Sequence, residues 1–208
     1  MRQVYHAMSD RVYSFPPIAD AQTRVLILGS MPGERSLQAN QYYAHPQNAF
    51  WKIMDALVGA GRHLDYAVRL EKLLAHGIGM WESLKSCQRV GSLDSAIIPA
   101  TMEPNDFNAF YATHPQITHV FFNGGTSATV YQRRVMPQLS QEFAHLHHER
   151  LPSTSPAHAT LRFEQKLEAW RTALQASGIL VEPCSKMAMD STCAVCGNML
   201  MTPAALRR

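Results

Sequence analysis

The sequence predicts an α/β fold with a central, mainly parallel sheet. Residues 25–28 form a short apolar run that ends at Gly29, which is typical of a strand covered on both faces, and an amphipathic helix follows. Residues 118–122, THVFF, are the clearest strand after the first, and they stop at an asparagine and two glycines before a helix start. Strand, turn and helix repeated in this way indicate alternating α/β structure with parallel strands.

Length and composition indicate one globular domain with tails. The chain has 208 residues, of which 46% are hydrophobic and 17% charged. Its net charge of +3 fits a polyanionic partner without demonstrating one. No run approaches the roughly 18 apolar residues of a membrane span, and the first residues lack the apolar core of a secretion signal. We therefore expect a cytoplasmic monomer with no membrane partner.

Three regions are expected along the chain. Residues 1–23 form an N-terminal extension that packs on the domain edge, residues 24–182 form the domain, and residues 183–208 form a tail. After the first strand, the apolar residues Phe50, Ile53, Met54 and Leu57 predict a helix that starts near Asn48. Residues 70–75 predict another helix, residues 78–84 are ambiguous but fit a strand, and residues 87–91 are expected to form a loop.

The second half of the chain continues the alternation. Residues 105–113 predict a helix with an Asn or Asp cap. After residues 118–122, Thr126 or Ser127 is expected to cap a helix that runs to about Arg134. Residues 143–151 are strand-like, and the apolar spacing from residue 160 predicts a closing helix that ends at Gly178.

Three of the four cysteines, Cys184, Cys193 and Cys196, lie in the tail. The Cys193 and Cys196 pair has the spacing of half a zinc site, but a tetrahedral site needs a second pair, and only Cys184 and the distant Cys87 are available. We therefore expect no metal and no cofactor. A structural zinc held by the tail cysteines is the less favoured alternative.

The stretch from residue 24 to residue 54 carries the most specific signal. The first strand leads into the turn Gly29, Ser30, Met31, Pro32, Gly33, and residues 43–52 read YAHPQNAFWK. Neither of the glycine-rich nucleotide motifs is present. The turn and the following segment resemble the uracil-DNA glycosylase superfamily, and look most like its hypoxanthine-DNA glycosylase branch.

This resemblance implies both a fold and an activity. The fold is a single three-layer α/β/α sandwich with a mainly parallel sheet of four strands. The activity is that of a monofunctional DNA glycosylase that removes a deaminated base from DNA, with hypoxanthine first and uracil or xanthine second. Such an enzyme flips the nucleotide out of the stack, because the glycosidic bond is unreachable inside the duplex.

The resemblance also implies roles for particular residues. Asn48 is the candidate that positions the attacking water, although its place also suits a helix N-cap. Tyr43 is the candidate that stacks on the flipped base, and Tyr42 is an alternative. Asn123 would read the base edge or simply form a turn. Two further base-binding candidates are Ser30 and Met31.

The remaining candidates form the turn and the loops that press on the DNA backbone. They share small side chains, rigid prolines or a polar ring, which allow close approach to phosphates. Met31 and Leu151 depart from the family, because most relatives have a polar residue in the turn and a His or Asn before the second loop. These candidates are Gly29, Pro32, Gly33, His45, Pro152, Ser153, Thr154 and Ser155.

Two other functions remain open at this point. One is a non-catalytic nucleic-acid-binding module on the same fold. It would account for Met31 in the turn, because a thioether cannot activate water. A hydrolase of small N-glycosides would fit the modest net charge.

Overall fold

The computed structural model describes residues 11–180, which contain seven strands and six α-helices in a mostly alternating order. The tail cysteines 184, 193 and 196 lie outside the described residues. The strands are β1 (Arg11–Tyr13), β2 (Val25–Gly29), β3 (Ile78–Glu82), β4 (Leu84–Gln88), β5 (Glu103–Pro104), β6 (His119–Asn123) and β7 (His147–Leu151). The α-helices are α1 (Glu34–Ala39), α2 (Phe50–Val58), α3 (Tyr66–Ala75), α4 (Phe107–Thr113), α5 (Gly125–Val130) and α6 (Phe163–Ala176).

The central sheet has the order β3-β2-β6-β7, and every neighbouring pair is parallel. The predicted four-stranded parallel sheet is thereby confirmed. Strand β2 is completely buried between its two neighbours, with Leu28 opposite Trp81 on one side and Phe122 on the other. Because all four strands run the same way, their carboxyl ends meet at one edge of the sheet.

Alternate residues of β2 serve two separate cores. Val25 and Ile27 face a cluster built with α2 and α6, in which Trp51 and Trp170 are fully buried. Leu26 and Leu28 face a second cluster, built with α4 and the segment after α5. Helices therefore cover both faces of the sheet, which is the predicted three-layer arrangement. Each large apolar side chain contributes roughly 1.5–3 kcal/mol on burial.

A second sheet, with the antiparallel order β1-β4-β5, was not predicted. Residues 87–91 were expected to form a loop, but β4 continues to Gln88. A single residue, Ser83, lies between the end of β3 and the start of β4, and so separates the two sheets along the chain. In the N-terminal extension, Val12 pairs with Cys87, and Ile18 forms an isolated bridge with Met80.

Other element boundaries also differ from the sequence-based expectation. Helix α3 begins at Tyr66 rather than residue 70, and β7 begins at His147 because residues 141–143 form a 3₁₀ turn. Neither Thr126 nor Ser127 caps α5, which follows Gly124. The Ser127 hydroxyl instead donates to the Leu28 carbonyl, at 2.9 Å. No helix between residues 11 and 180 has both the length and the apolar content needed to cross a membrane.

Candidate active site

A cavity of about 630 Å³ opens at the carboxyl edge of the parallel sheet. Its volume lies within the range of small-molecule and cofactor sites. Among the candidates from the sequence, Pro152 lies outside the cavity lining; its carbonyl accepts a hydrogen bond from the Trp170 indole. The cavity brings together the other twelve: Gly29, Ser30, Met31, Pro32, Gly33, Tyr43, His45, Asn48, Asn123, Ser153, Thr154 and Ser155.

The turn after β2 is held by the segment that follows β4. The Ser30 hydroxyl donates to Asp94 Oδ1 at 2.7 Å, and the Ser92 hydroxyl accepts from the Glu34 amide at 2.9 Å. The buried guanidinium of Arg89 donates to the carbonyl of Pro32. The Ser30 hydroxyl is therefore engaged with a carboxylate.

Two residues that depart from the family pattern are parts of the core. Met31 is 6% exposed and packs with Leu84, Cys87 and Ile97, so its side chain is an apolar part of the cavity wall. Leu151 is 2% exposed at the end of β7 and belongs to the core cluster around α2 and α6. The side chain at position 151 therefore offers no polar contact to a ligand, as the sequence implied.

The loop before α2 is held from behind by Arg62. Its guanidinium donates to three successive carbonyl groups, those of Tyr43 at 2.8 Å, Ala44 at 3.2 Å and His45 at 2.6 Å. Tyr43 itself has a left-handed backbone, with φ of 54°. Non-glycine residues adopt this conformation at a cost, so the Arg62 contacts stabilise a strained loop.

Tyr43 presents its ring at the cavity, whereas Tyr42 does not. The Tyr43 ring stacks on Phe50, with centroids 4.0 Å apart and planes inclined by 22°. Its hydroxyl is buried near Asn123 and Glu82 without a hydrogen-bond partner, and burial followed by the Glu82 carboxyl raises the pKa of Tyr43. Tyr42 is 2% exposed, and its hydroxyl donates to the carbonyl of Pro16. Of the two tyrosines, Tyr43 is the one placed to contact a ligand.

Asn48 combines the two roles considered for it. Its Oδ1 accepts a hydrogen bond from the Phe50 amide at 3.0 Å. Ala49, which directly precedes α2, has helical dihedral angles and no side-chain cap bond, so Asn48 takes the capping position. The same residue lines the cavity. An amide oxygen has two lone pairs, so the capping bond fixes the orientation of the side chain and leaves one acceptor position for water.

Two hydrogen bonds with Thr154 orient the Asn123 side chain. The Thr154 amide donates to Asn123 Oδ1, and Asn123 Nδ2 donates to Thr154 Oγ1, both at 2.8 Å. Because a backbone N–H can only donate, the oxygen of the Asn123 amide is assigned without ambiguity. One N–H and one lone pair of the amide remain for a ligand.

The loop that follows β7, from residue 152 to residue 158, packs closely on the end of β6. Gly124 has φ of 105°, and a Cβ at this position would lie 2.9 Å from the Cβ of Ser153. Ser153 Oγ accepts from the Ser155 amide, at 3.2 Å. His45 and His158 stand at the rim, and Lys166 holds the end of the loop by donating to the His158 carbonyl, at 2.7 Å.

Glu82 is a buried cavity residue that sequence reasoning missed. It ends β3 opposite Gly29, is 4% exposed, and has no hydrogen-bond partner for Oε2. Burial is the main cause that raises its pKa well above the usual range; Asp94 adds to the effect and Arg89 opposes it. One signal was available: a carboxylate ends the apolar run 78–82, at a position where a parallel strand would finish beside Gly29.

Comparison with known families agrees with this geometry. The family model of the uracil DNA glycosylase superfamily matches residues 16–175, which include every residue that lines the cavity. This chain belongs to the uracil DNA glycosylase superfamily. The resemblance found in the turn and in residues 43–52 is thereby confirmed, and the protein is a DNA glycosylase.

Individual members of the superfamily extend the comparison. A hypoxanthine DNA glycosylase of Methanosarcina barkeri is 39% identical over 114 residues, which are 54% of this chain and 71% of that protein. A hypoxanthine DNA glycosylase of Methanosarcina acetivorans is 33% identical over 135 residues, or 61% and 84% of the two chains. A solution NMR structure from M. acetivorans, assigned provisionally as a uracil DNA glycosylase, superimposes with a TM-score of 0.62 at 28% identity. It covers 78% of this chain and 98% of its own.

Metal binding has no candidate group in the part of the chain that is described. Within residues 11–180, no three His, Cys, Asp or Glu side chains come together in a way that could hold an ion. The zinc alternative at the tail cysteines lies outside these residues.

Proposed function

We propose that this superfamily member removes hypoxanthine from DNA, with uracil and xanthine as secondary substrates. The observation that carries the proposal is the convergence, in one cavity, of an aromatic ring with the amides of Asn48 and Asn123. The two relatives named hypoxanthine DNA glycosylases support hypoxanthine as the first choice. The reaction replaces the bond between the base and C1′ by a bond between water and C1′, and leaves an abasic site.

The flipped base stacks on Tyr43 in this proposal. The opposite face of that ring rests on Phe50, so the tyrosine is backed by the core and does not need to move. Stacking of a base on an aromatic side chain contributes about 1–3 kcal/mol. The free N–H and lone pair of Asn123 would face the polar edge of the base, because deaminated bases present a ring N–H beside a carbonyl.

Asn48 positions the attacking water. Its capping bond to Phe50 fixes the side chain, and its second lone pair accepts from the water. An amide cannot take the proton of the water. Orientation suffices because the sugar in the transition state resembles an oxocarbenium ion, which water attacks as the base departs.

A monofunctional reaction fits the composition of the cavity. Among the described residues 11–180, those that line the cavity include no lysine. None of these side chains is therefore an amine that would form a Schiff base with the sugar. Ser153 and Ser155 line the cavity, and their hydroxyl groups are small donors of the kind that contact phosphate oxygens without excluding the duplex.

The test is single-turnover cleavage of labelled oligonucleotides that contain one hypoxanthine, uracil or xanthine, in single-stranded and duplex form. We expect hypoxanthine to be released fastest, with alkali-labile abasic sites as the product. Oligonucleotides with adenine or guanine at the same place serve as controls. Release of hypoxanthine from free deoxyinosine but not from DNA would show that the protein acts on small N-glycosides, and would refute the proposal.

A further inference from the structure

Glu82 combines burial, lack of a partner and access to the cavity. It is the last residue of β3, its side chain is 4% exposed, and Oε2 makes no hydrogen bond. The carboxyl nevertheless lines the cavity at the carboxyl edge of the sheet. A buried polar atom without a partner destabilises the fold by about 1–3 kcal/mol, so a ligand that offers Oε2 a hydrogen bond would gain from that contact.

Gly29 leaves the space that the Glu82 carboxyl occupies. The two residues are opposite each other in the register of β2 and β3. A Cβ on residue 29 would lie 2.2 Å from Glu82 Oε2, so the carboxyl could not keep its present position beside a larger residue. The first glycine of the turn therefore makes room for a carboxyl group that the neighbouring strand places in the floor of the cavity.

Several charged or titratable groups face the Glu82 carboxyl. Asp94 approaches from the loop after β4 and disfavours a second negative charge, while Arg89 from the end of β4 acts in the opposite direction. Tyr42 and Tyr43 approach from the loop before α2, and burial raises the pKa of both phenols, so they bring no charge at neutral pH. Burial dominates over Arg89 and raises the pKa of the Glu82 carboxyl.

Four other polar residues of the cavity, Ser30, Tyr43, Asn48 and Asn123, are less suited to give up a proton. The Ser30 hydroxyl already donates to Asp94, and the amides of Asn48 and Asn123 are not acids. Tyr43 holds its proton more tightly than an exposed tyrosine. A protonated Glu82 is therefore the buried acid that can meet a base stacked on Tyr43.

We propose that Glu82 is a catalytic residue that protonates the departing base, an inference that rests on the proposed glycosylase function. As the bond between C1′ and the base nitrogen breaks, the electron pair goes to the base. The proton of the Glu82 carboxyl moves to an acceptor nitrogen or oxygen of the base. Water adds to C1′ through its oxygen and releases one proton, which restores Glu82 directly or through solvent. A general acid of this kind contributes about 10²–10⁴-fold to a rate.

The test compares the full-length wild-type protein with Glu82→Gln in single-turnover release of hypoxanthine between pH 5 and pH 10. Glutamine has nearly the same shape but no transferable proton. The wild-type rate is expected to fall as the pH rises through the raised pKa of Glu82, because the acid form is lost. Glu82→Gln is expected to be slower at neutral pH by about 100-fold and to lack this alkaline fall. Glu71→Gln, in the exposed face of α3, is the matched control and should behave like the wild type.

Two measurements separate the proposed role from a structural one. Glu82→Gln should melt no lower than the wild type, and its affinity for a hypoxanthine oligonucleotide, under conditions too brief for cleavage, should be nearly unchanged. Loss of folding or of affinity that accounts for the whole rate effect would overturn the proposal, as would a slower rate that keeps the wild-type pH profile.

Failure of the enzyme function would look different. If the wild type releases hypoxanthine and Glu82→Gln does so equally fast, the glycosylase function stands and the role of Glu82 is refuted. If the wild type releases no deaminated base at any pH, the proposed function fails, and the role of Glu82 fails with it.

Discussion

The carbonyl of Thr154 accepts a hydrogen bond from the amide of Ala49, at 2.9 Å, immediately beside the candidate water-positioning residue Asn48. The same threonine, 1% exposed, makes both hydrogen bonds that orient Asn123. One residue thus connects the loop after β7, the end of β6 and the start of α2. The water-binding and base-binding sides of the cavity are therefore coupled through the backbone and side chain of Thr154.

The first prediction concerns this connection. Thr154→Val removes Oγ1 but keeps the shape and both backbone hydrogen bonds, so Asn123 loses the acceptor of its amide N–H. We expect a loss of about 1 kcal/mol in stability and about tenfold weaker binding of hypoxanthine DNA, measured by urea unfolding and by fluorescence anisotropy. Thr154→Ser, which keeps the hydroxyl, is the control. Equal behaviour of the two variants would show that the side-chain bond to Asn123 is unimportant.

A second prediction separates the two roles of Asn48. Asn48→Ala removes both the cap of α2 and the acceptor for water. Single-turnover excision should fall by about two orders of magnitude, while the loss of the cap should lower stability by only about 1 kcal/mol. Asn48→Asp retains an acceptor for the Phe50 amide and so should melt close to the wild type. A variant that melts much lower but excises hypoxanthine at the normal rate would leave Asn48 with a capping role alone.

The third prediction tests the surface on which the base stacks. Tyr43→Ala removes that face and should weaken binding of lesion DNA by about 1–3 kcal/mol, with slower chemistry. Tyr43→Phe keeps the ring and removes a hydroxyl without a partner, so its melting temperature should not fall. Tyr42→Phe is the control, since it loses a bond to the Pro16 carbonyl and Tyr42 is not among the residues that line the cavity. If Tyr42→Phe reduces excision more than Tyr43→Ala does, the assignment of the stacking residue is wrong.

A fourth prediction follows from the raised pKa of Glu82. Between the pKa of an unfolded glutamate, about 4.3, and the higher value in the folded protein, the folded state binds more protons than the unfolded state. Wild-type stability should therefore decrease as the pH rises through this window. Glu82→Gln lacks the effect, so its stability relative to the wild type should increase from pH 5 to pH 8, as measured by urea unfolding. A difference that is the same at both pH values would contradict a raised pKa.

The main sheet could be predicted because its decisive strands are unusual in sequence. Strand β2 is a continuous apolar run that ends at Gly29, and the centre of β6, residues 120–122, is apolar and buried as well. Burial on both faces of a parallel sheet requires such residues. The antiparallel sheet has no comparable signal. Strands β1 and β5 have three and two residues, and their pairing depends on contacts such as Arg11 with Gln88, which are distant in sequence.

The same contrast applies to the cavity. Gly29, Tyr43 and Asn48 lie in one stretch with a specific pattern, so their proximity could be inferred. The position of Glu82 depends on the register between β2 and β3, and its protonation depends on burial. Neither quantity is encoded in a local motif. Likewise, the engagement of Asn123 with Thr154 is a contact over 31 positions, which a single sequence does not reveal.

The abrupt passage from β3 to β4 has a consequence for how this site can change. Glu82, Arg89 and Asp94 all belong to one short stretch that leaves the parallel sheet, crosses the second sheet and returns to the cavity. The Glu82 carboxyl, the Arg89 guanidinium that lowers its pKa and the Asp94 carboxylate that raises it thus lie close together in the chain. An insertion or exchange in this stretch alone would reset the acidity of the site while the base-stacking loop and the α2 cap stayed as they are.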